Sequence, residues 1–439
     1  MFSSLRLRRQ YLQRALSRLT LGGDWALSQP AETRHNLRWF WFDGFFSAAS
    51  DNIIVTYLVL YLLALGATGA QIGMLSSLSS LFAALVLLPG ALLVERIGHR
   101  KEITVYSGGG LSRIVILLLA LLPFAFTGQT LVLVAIIMSV TRNTFANLAY
   151  PAWISMVADI IPLTGRGRYF GTRNFAMGVI GITVILLIGE MITRTSKPAG
   201  YQIALGFAFI IGMFSTYSFS HIRVSTAPPE ALQGGSTISL PRLLADLKKH
   251  PAFLTMAGVA ALWNFSLSLA GPFFNVYLVQ NLSATASMVG FLSVVTTISG
   301  LFVQQKLGEL ADRWGPRRMQ LISGFLIPIL PFAWLFVTSP WHIVPINILS
   351  GILWGAFNLA AFNYLLLVTP DAQRARYSAI YQLVITISLA IGAAVGSIIL
   401  TTPWAFRGVF FGSGIGRLFA ALLFARFVHA SEAIPQTTS

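Results

Sequence analysis

The chain contains no cysteine. Disulfides, thiolate catalysis and cysteine-ligated metal are therefore excluded, while the redox compartment stays undecided. Acidic residues are scarce, 14 against 30 lysines and arginines, and charged residues make up only 10% of the chain. A soluble domain carries about 25%. The six histidines are scattered without ligand spacing, so no metal site is expected. No GxxxxGK[ST] phosphate loop occurs, which argues against a pump driven by nucleotide. Neither an enzymatic activity nor a cofactor is expected.

What is abundant is apolar. Hydrophobic residues make up 55% of the 439 residues, and the mean hydropathy is +0.73. This is the composition of a polytopic membrane protein. The formal charge of +16 reads first as a topology signal. The basic residues do not interleave with aromatics on a polar face, so nucleic acid is not an expected partner.

A bilayer core needs about 20 apolar residues per helix. Twelve runs qualify: 39–65, 71–94, 103–123, 130–157, 169–192, 201–221, 252–279, 287–310, 319–338, 341–369, 377–401 and 408–428. None alternates with period two, which excludes a β-barrel. The expected fold is an all-α integral membrane protein with 12 transmembrane helices. Its expected parts are a basic tail (1–38), a first six-helix half (39–221), a linker (222–251), a second half (252–430) and a short tail (431–439).

Charge placement sets the expected orientation. Fifteen basic residues follow the even-numbered runs: Arg96, Arg100, Lys101, Arg166, Arg168, Arg173, Arg223, Arg242, Lys248, Lys249, Arg313, Arg317, Arg318, Arg374 and Arg376. Only Arg194, Lys197 and Arg407 follow the odd-numbered runs. Both termini are therefore expected in the cytoplasm, with the protein in the cell membrane. The first 38 residues lack the apolar core of a signal peptide. They form a basic amphipathic helix on anionic lipid, a basic tail that serves topology, or, as a third reading, a mitochondrial presequence. In the linker, Leu240, Leu243, Leu244 and Leu247 fall on one stripe behind Ser239 and Pro241, which predicts a short interfacial helix.

The sequence repeats itself. GELADRWGPRR, from Gly308 to Arg318, is echoed by VERIGHRK from Val94 to Lys101 at an offset of 217. RGRY at Arg166–Tyr169 returns as RARY at Arg374–Tyr377, offset 208, and NLA at Asn147–Ala149 returns at Asn358–Ala360, offset 211. Two parallel six-helix halves are a transporter architecture.

With these motifs the chain resembles the major facilitator superfamily. Gly308, Leu310, Ala311, Asp312, Arg313, Gly315, Arg317 and Arg318 fit its signature between the second and third helices of a half. In the first half, Ala91 stands where glycine is expected and Glu95 where aspartate is expected. The resemblance implies two pseudo-symmetric halves and a cytoplasmic latch. Its candidate residues are Glu95, Arg96, Asp159, Gly308, Asp312, Arg313, Gly315 and Arg317. It pairs Arg96 with Asp159 and offers Asp371 as a looser counterpart in the second half. Alternatively these charges only fix topology. The resemblance also implies that the first and fourth helices of each half line a central cavity, with the third and sixth outside.

Ionisable groups at mid-membrane are costly and mark function or partners. Asp43, Asp51 and Arg142 are thus the expected cavity groups. Arg113 and Arg417 are expected to be structural or interhelical. Asp51 and Arg142 lie at matching depth, so they can form a proton-releasable pair or a fixed structural one. Asn143, Asn147, Asn264, Trp354 and Asn358 complete the expected coupling and substrate set, each equally readable as an interhelical contact. Helix 5 has Gly171, Gly178, Gly181 and Gly189 but no glycine-proline pair, which counts against a drug–proton antiporter.

Three functions fit. The first is a monomeric secondary transporter of a small organic solute, working by rocker-switch alternating access with proton coupling. The second is an exporter of lipophilic compounds, drugs or lipids. The third is a membrane assembly or sensor protein that uses the fold without transport.

Overall fold

The computed structural model describes residues 20–21, 23–223, 251–368 and 374–427, and every regular element among them is helical. The predicted linker helix, most of the basic tail and Asp371 lie outside these residues. The helices are α1 (Ala31–Ala64), α2 (Gly69–Ile97), α3 (Arg100–Ala125), α4 (Gly128–Ile160), α5 (Arg166–Arg194) and α6 (Ala199–Ser220). They continue as α7 (Pro251–Ala270, resumed at Phe273–Gln280), α8 (286–314), α9 (316–334), α10 (Ile343–Val368), α11 (Arg374–Leu400) and α12 (Ala405–Phe427).

Among the described residues, eleven helical segments are individually long and apolar enough to cross a membrane. The twelfth crossing is α9, whose apolar run is broken after Ile327, where Pro328 opens a new turn leading into Ile329–Trp334. Proline has no N–H to give, so the break follows from the sequence. Between α8 and α9, Gly315 adopts φ 75° and ψ 156°, a left-handed value that glycine tolerates.

The first helix starts eight residues before its apolar run. Pro30 precedes Ala31, and the polar turn is tied down by hydrogen bonds. Arg34 donates to the Leu27 carbonyl at 3.2 Å, and Asn36 Nδ2 donates to the Arg223 carbonyl at 2.7 Å. The Arg223 N–H returns a bond to Asn36 Oδ1 at 2.8 Å. Polar residues that satisfy one another extend a helix beyond what hydropathy marks.

The chain divides into two compact units. Unit 1 holds the described residues up to Gly66 and from Leu85 to 223. Unit 2 holds Ala67–Ala84 and the described residues from 251 onward. The first half of α2 belongs to unit 2. Glycine explains the close fit there. Any side chain at Gly73 would overlap Phe273 of α7 and Ser397 of α11. Ser397 Oγ donates to the Ala70 carbonyl at 2.6 Å.

Inside unit 1, tyrosines bind helices together by reaching backbone carbonyls. Tyr57 donates to Ile185 at 2.5 Å, Tyr61 to Leu119 at 2.7 Å and Tyr169 to Leu37 at 2.7 Å. In lipid, packing and such bonds replace the hydrophobic effect as the source of association. A π-helical stretch, Thr104–Leu111, carries three consecutive glycines within α3. Wide turns of this kind occur often at functional sites.

Candidate functional site

Unit 1 contains a cavity of about 420 Å³ between α1, α3, α4, α5 and α6. Five charged side chains line it: Asp43, Asp51, Arg113, Arg142 and Arg173. Asp43, Ser47 and Asp51 recur every fourth residue on α1, so one helix face presents a column of oxygens to the cavity.

Asp51 sits between two guanidinium groups. Arg113 Nη1 is 2.7 Å from Asp51 Oδ1, and Arg142 Nη2 is 3.4 Å from the same oxygen. Ser47 Oγ donates to the other carboxylate oxygen at 2.8 Å. Arg113 also donates to Ser50 Oγ at 2.7 Å, and Ser50 in turn donates to the Ala208 carbonyl of α6 at 2.7 Å. Arg142 is less completely held, since its buried Nε has no hydrogen-bond partner.

A second pair lies two turns along α1. Arg173 Nη2 is 3.5 Å from Asp43 Oδ2, and Ser215 Oγ donates to Asp43 Oδ1 at 2.7 Å. Arg173 Nε donates to the Phe40 carbonyl at 3.0 Å, and its guanidinium lies 4.1 Å from the Phe40 ring centroid. Gly44 leaves the room for it, because a Cβ there would fall on the guanidinium. Two carboxylates thus face three guanidinium groups, which leaves one positive charge in excess.

Both α3 and α6 line this cavity within unit 1, and Arg113, expected to be structural or interhelical, reaches from α3 to Asp51 of α1. The reason is local: α6 has Gly212 where the Arg113 side chain passes, so the chain can run across α6 to reach Asp51. Arg173, counted by sequence among the loop charges, is 5% exposed within α5. From α4, Arg142, Ala146, Ala149, Tyr150 and Trp153 line the cavity, whereas Asn143 and Asn147 lie outside the lining. Asn147 Nδ2 caps the Asn143 carbonyl within the helix at 2.8 Å. Spacing alone did not reveal Arg173, Ser47, Ser50 or Ser215, because isolated serines and a helix-end arginine are ordinary in membrane proteins.

Unit 2 has a smaller pocket of about 50 Å³ between α7, α9, α10, α11 and α12. Most of its lining residues have counterparts in the unit 1 cavity. Asp43, Ser47 and Asp51 correspond to Met256, Ala260 and Asn264, each 213 residues later. Gly109 corresponds to Gly324 at 215, Ala146 to Phe357 at 211, and Arg173 to Tyr381 at 208. Ser215, Thr216 and Phe219 correspond to Ala420, Ala421 and Phe424 at 205. By the same helix offsets Arg113 and Arg142 map to Pro328 and Leu353. All five charged positions are neutral in the second copy.

Of the other expected residues, Asn264 lines this pocket, with Nδ2 donating to the Ala260 carbonyl at 2.8 Å. Trp354 packs edge-on to Trp263 at 6.3 Å. Asn358 is exposed. Arg417 is 2% exposed in α12, and its Nε and Nη2 have no hydrogen-bond partner.

Among the latch candidates, Asp159 is met by Arg100 rather than by the expected Arg96. Arg100 Nη1 lies 2.8 Å from Asp159 Oδ2 and donates to Ser155 Oγ at 2.9 Å. Gly98, with φ 69°, turns the chain between α2 and α3 and leaves Arg100 buried while Arg96 stays exposed. In the second copy, Arg317 Nη2 donates to the Ala425 carbonyl near the end of α12 at 3.3 Å, and Arg313 is exposed. A Cβ added at Gly308 would meet nothing within 4 Å outside its own helix backbone. The Glu95 and Asp312 side chains lie outside the described ones.

Twelve membrane-crossing helices in duplicated sixes, with a charged cavity walled by one set, define a membrane transporter. The chain belongs to the Major Facilitator Superfamily, whose model matches residues 40–278 and 256–438. It is 24% identical over 391 residues to the multidrug resistance protein MdtG of Salmonella typhi, covering 87% of this chain and 92% of that one. Its fold is similar to a variant of the nucleoside transporter NupG, with TM-score 0.67, 14% identity, and coverage of 89% of this chain and 99% of that one. A D-xylose–proton symporter gives TM-score 0.67 at 15% identity, with coverage of 91% and 98%.

Proposed function

We propose that this transporter moves a small organic solute by rocker-switch alternating access coupled to protons, with Asp51 as the proton-carrying group. The observation that carries this reading is the sharing of Asp51 between Arg113 and Arg142 on the wall of a cavity. Charged Asp51 holds both guanidinium groups. Protonated Asp51 keeps only hydrogen bonding to offer, and Arg142, the more distant and less satisfied partner, is released toward the cavity. A solute carrying an acceptor or a negative charge then competes for Arg142. Proton and solute binding become linked through one arginine, as reciprocal coupling requires.

The duplicated pocket supports confining this chemistry to unit 1, since unit 2 has no charge at any of the five positions. Asp43 and Arg173 form a better-buried pair and take the role of holding α1, α5 and α6 together during the cycle. Arg100 with Asp159, and the copy built on Asp312 and Arg313, act as the cytoplasmic latch. Both termini lie in the cytoplasm of a cell-membrane protein that works as a monomer. The basic residues that follow the even-numbered helices support the orientation.

A second reading, export of lipophilic compounds, draws support from the similarity to MdtG, which is named for multidrug resistance. The missing glycine-proline pair in α5 weighs against it.

The test is pH-gradient-driven flux in proteoliposomes over a panel of solute classes, with Asp51→Asn measured alongside. The variant should lose the response to the gradient while retaining solute exchange. Flux that keeps its full proton dependence in the variant removes Asp51 from the coupling role.

A further inference from the structure

The charges that line the unit 1 cavity do not cancel, and the geometry shows where the excess lies. Asp43 is matched by Arg173, which leaves the Asp51 carboxylate to serve both Arg113 and Arg142. Arg113 is the closer at 2.7 Å, and it also donates to Ser50 at 2.7 Å and to Ser47 at 3.3 Å. Arg142 contacts Asp51 at 3.4 Å, and its side chain is 16% exposed against 8% for Arg113. Arg142 therefore presents the uncompensated positive charge to the cavity. An unmatched charge in a site walled by apolar helices is costly. It attracts an anionic solute and repels a cationic one.

The rest of the α4 face describes the body of such a solute. Ala146, Tyr150 and Trp153 follow Arg142 along the lining. At 1.5 Å per residue, Tyr150 stands about 12 Å along the helix from Arg142. The Tyr150 and Trp153 rings lie 6.1 Å apart and 22° from parallel, and Tyr150 is 49% exposed. Between the guanidinium and the rings, the small side chain of Ala146 leaves room. A head group on Arg142 thus directs an apolar body toward two aromatic faces. The cavity, about 420 Å³, lies in the range of about 300–1,000 Å³ common for organic ligands. It is well above the roughly 150 Å³ that encloses benzene.

We propose that the unit 1 cavity takes an organic monoanion with an aromatic body, its oxyanion head on Arg142 and its body against Tyr150 and Trp153. This names the solute class of the Asp51 site and rests on the transport reading above. A charged Asp51 stands beside the head group and repels it, so protonation of Asp51 and binding of the anion favour each other.

The test uses the purified full-length protein in lipid nanodiscs, with 2-naphthalenesulfonate and the uncharged 2-naphthalenesulfonamide as probes. Equilibrium dialysis against empty nanodiscs removes partitioning into lipid. The sulfonate stays ionised at every working pH, so its charge is fixed. Saturable binding of the sulfonate is expected, with the sulfonamide about tenfold weaker or more. Arg142→Gln should weaken the sulfonate by about tenfold and leave the sulfonamide unchanged. Tyr150→Ala should weaken both probes severalfold. Asp51→Asn should tighten the sulfonate, because it removes the carboxylate beside the head group, whereas a merely structural role for Asp51 predicts weakening. Melting temperatures confirm that the variants fold. If Arg142→Gln does not fold, the parent's choice between the probes and the sign of the Asp51→Asn change still decide. No saturable binding, equal affinity for the two probes, or a weaker sulfonate in Asp51→Asn overturns the proposal. Proton-driven flux of an uncharged solute that is lost in Asp51→Asn, without sulfonate binding, rejects the anion class alone. Sulfonate binding as expected, with flux in Asp51→Asn that keeps its full proton dependence, rejects the coupling role alone.

Discussion

Arg113 holds Asp51 at 2.7 Å from α3, across the face of α6 that Gly212 leaves open. That contact joins three helices of one unit around a single carboxylate. It also leaves Arg142, at 3.4 Å, as the partner easiest to release. Since the Asp51 side chain is 41% exposed, solvent screens the pair, and its worth lies more in mechanism than in stability.

Burial separates the two ion pairs in stability. Arg173 and Asp43 have side chains only 6% and 10% exposed, so Arg173→Met strands a buried carboxylate. The expected loss is about 3–5 kcal/mol. Arg113→Met should cost clearly less, because Asp51 retains Arg142 and water. Denaturation in matched detergent gives the order, and a larger loss for Arg113→Met contradicts the burial argument.

Gly44→Ala tests the same pair without deleting a charge. The new Cβ must displace the Arg173 guanidinium from its seat between Phe40 and Asp43. Crowding of this type costs about 1–3 kcal/mol. The variant should therefore melt earlier than the parent but later than Arg173→Met. A melting temperature equal to the parent's means that Arg173 has another resting place of equal energy.

The Arg100–Asp159 contact is a conformational device if it forms and breaks during the cycle. Asp159 is half exposed, so Asp159→Asn should change the melting temperature little. Its flux should fall severalfold. The charge-exchanged double variant, Arg100→Asp with Asp159→Arg, should recover part of that flux. Equal flux in Asp159→Asn and parent reduces the contact to a topology signal.

The absence of cysteine makes the α2 contact within unit 2 directly testable. A Cβ at Gly73 would lie 2.9 Å from Ser397 Cβ, near enough for a disulfide once the Phe273 ring, which it would otherwise overlap, moves aside. Gly73→Cys with Ser397→Cys should cross-link under mild oxidation, and the linked protein should stop cycling until reduced. Full flux in the cross-linked protein shows that α2 and α11 need not separate.

Much of the frame was legible without coordinates. Twelve apolar runs, a repeated charged turn and a biased scatter of arginines follow from the cost of exposing polar backbone or charge to lipid. That cost acts on each segment separately, so it is written locally. It also marked Asp43, Asp51 and Arg142, because a charge in an apolar run stands out wherever it points.

Which charge meets which was not legible, and only the packed helices decided it. Arg113 reaches Asp51 because Gly212 on a different helix makes way, and Arg173 reaches Asp43 because Gly44 does. Arg100 displaces Arg96 at Asp159 because Gly98 turns the chain between them. Gly212 and Gly44 are distant in sequence from the arginines they admit, whereas Gly98 lies two residues from Arg100, and each acts through the side chain it lacks. The register of the two pockets is of the same kind. Its offsets of 213, 215, 211, 208 and 205 drift from helix to helix, and only the shared lining aligns them. The sequence by itself determined a duplicated membrane transporter with costly charges in its first half. The tertiary structure decided their partners, since partner choice is set by steric room between helices, which no single segment encodes.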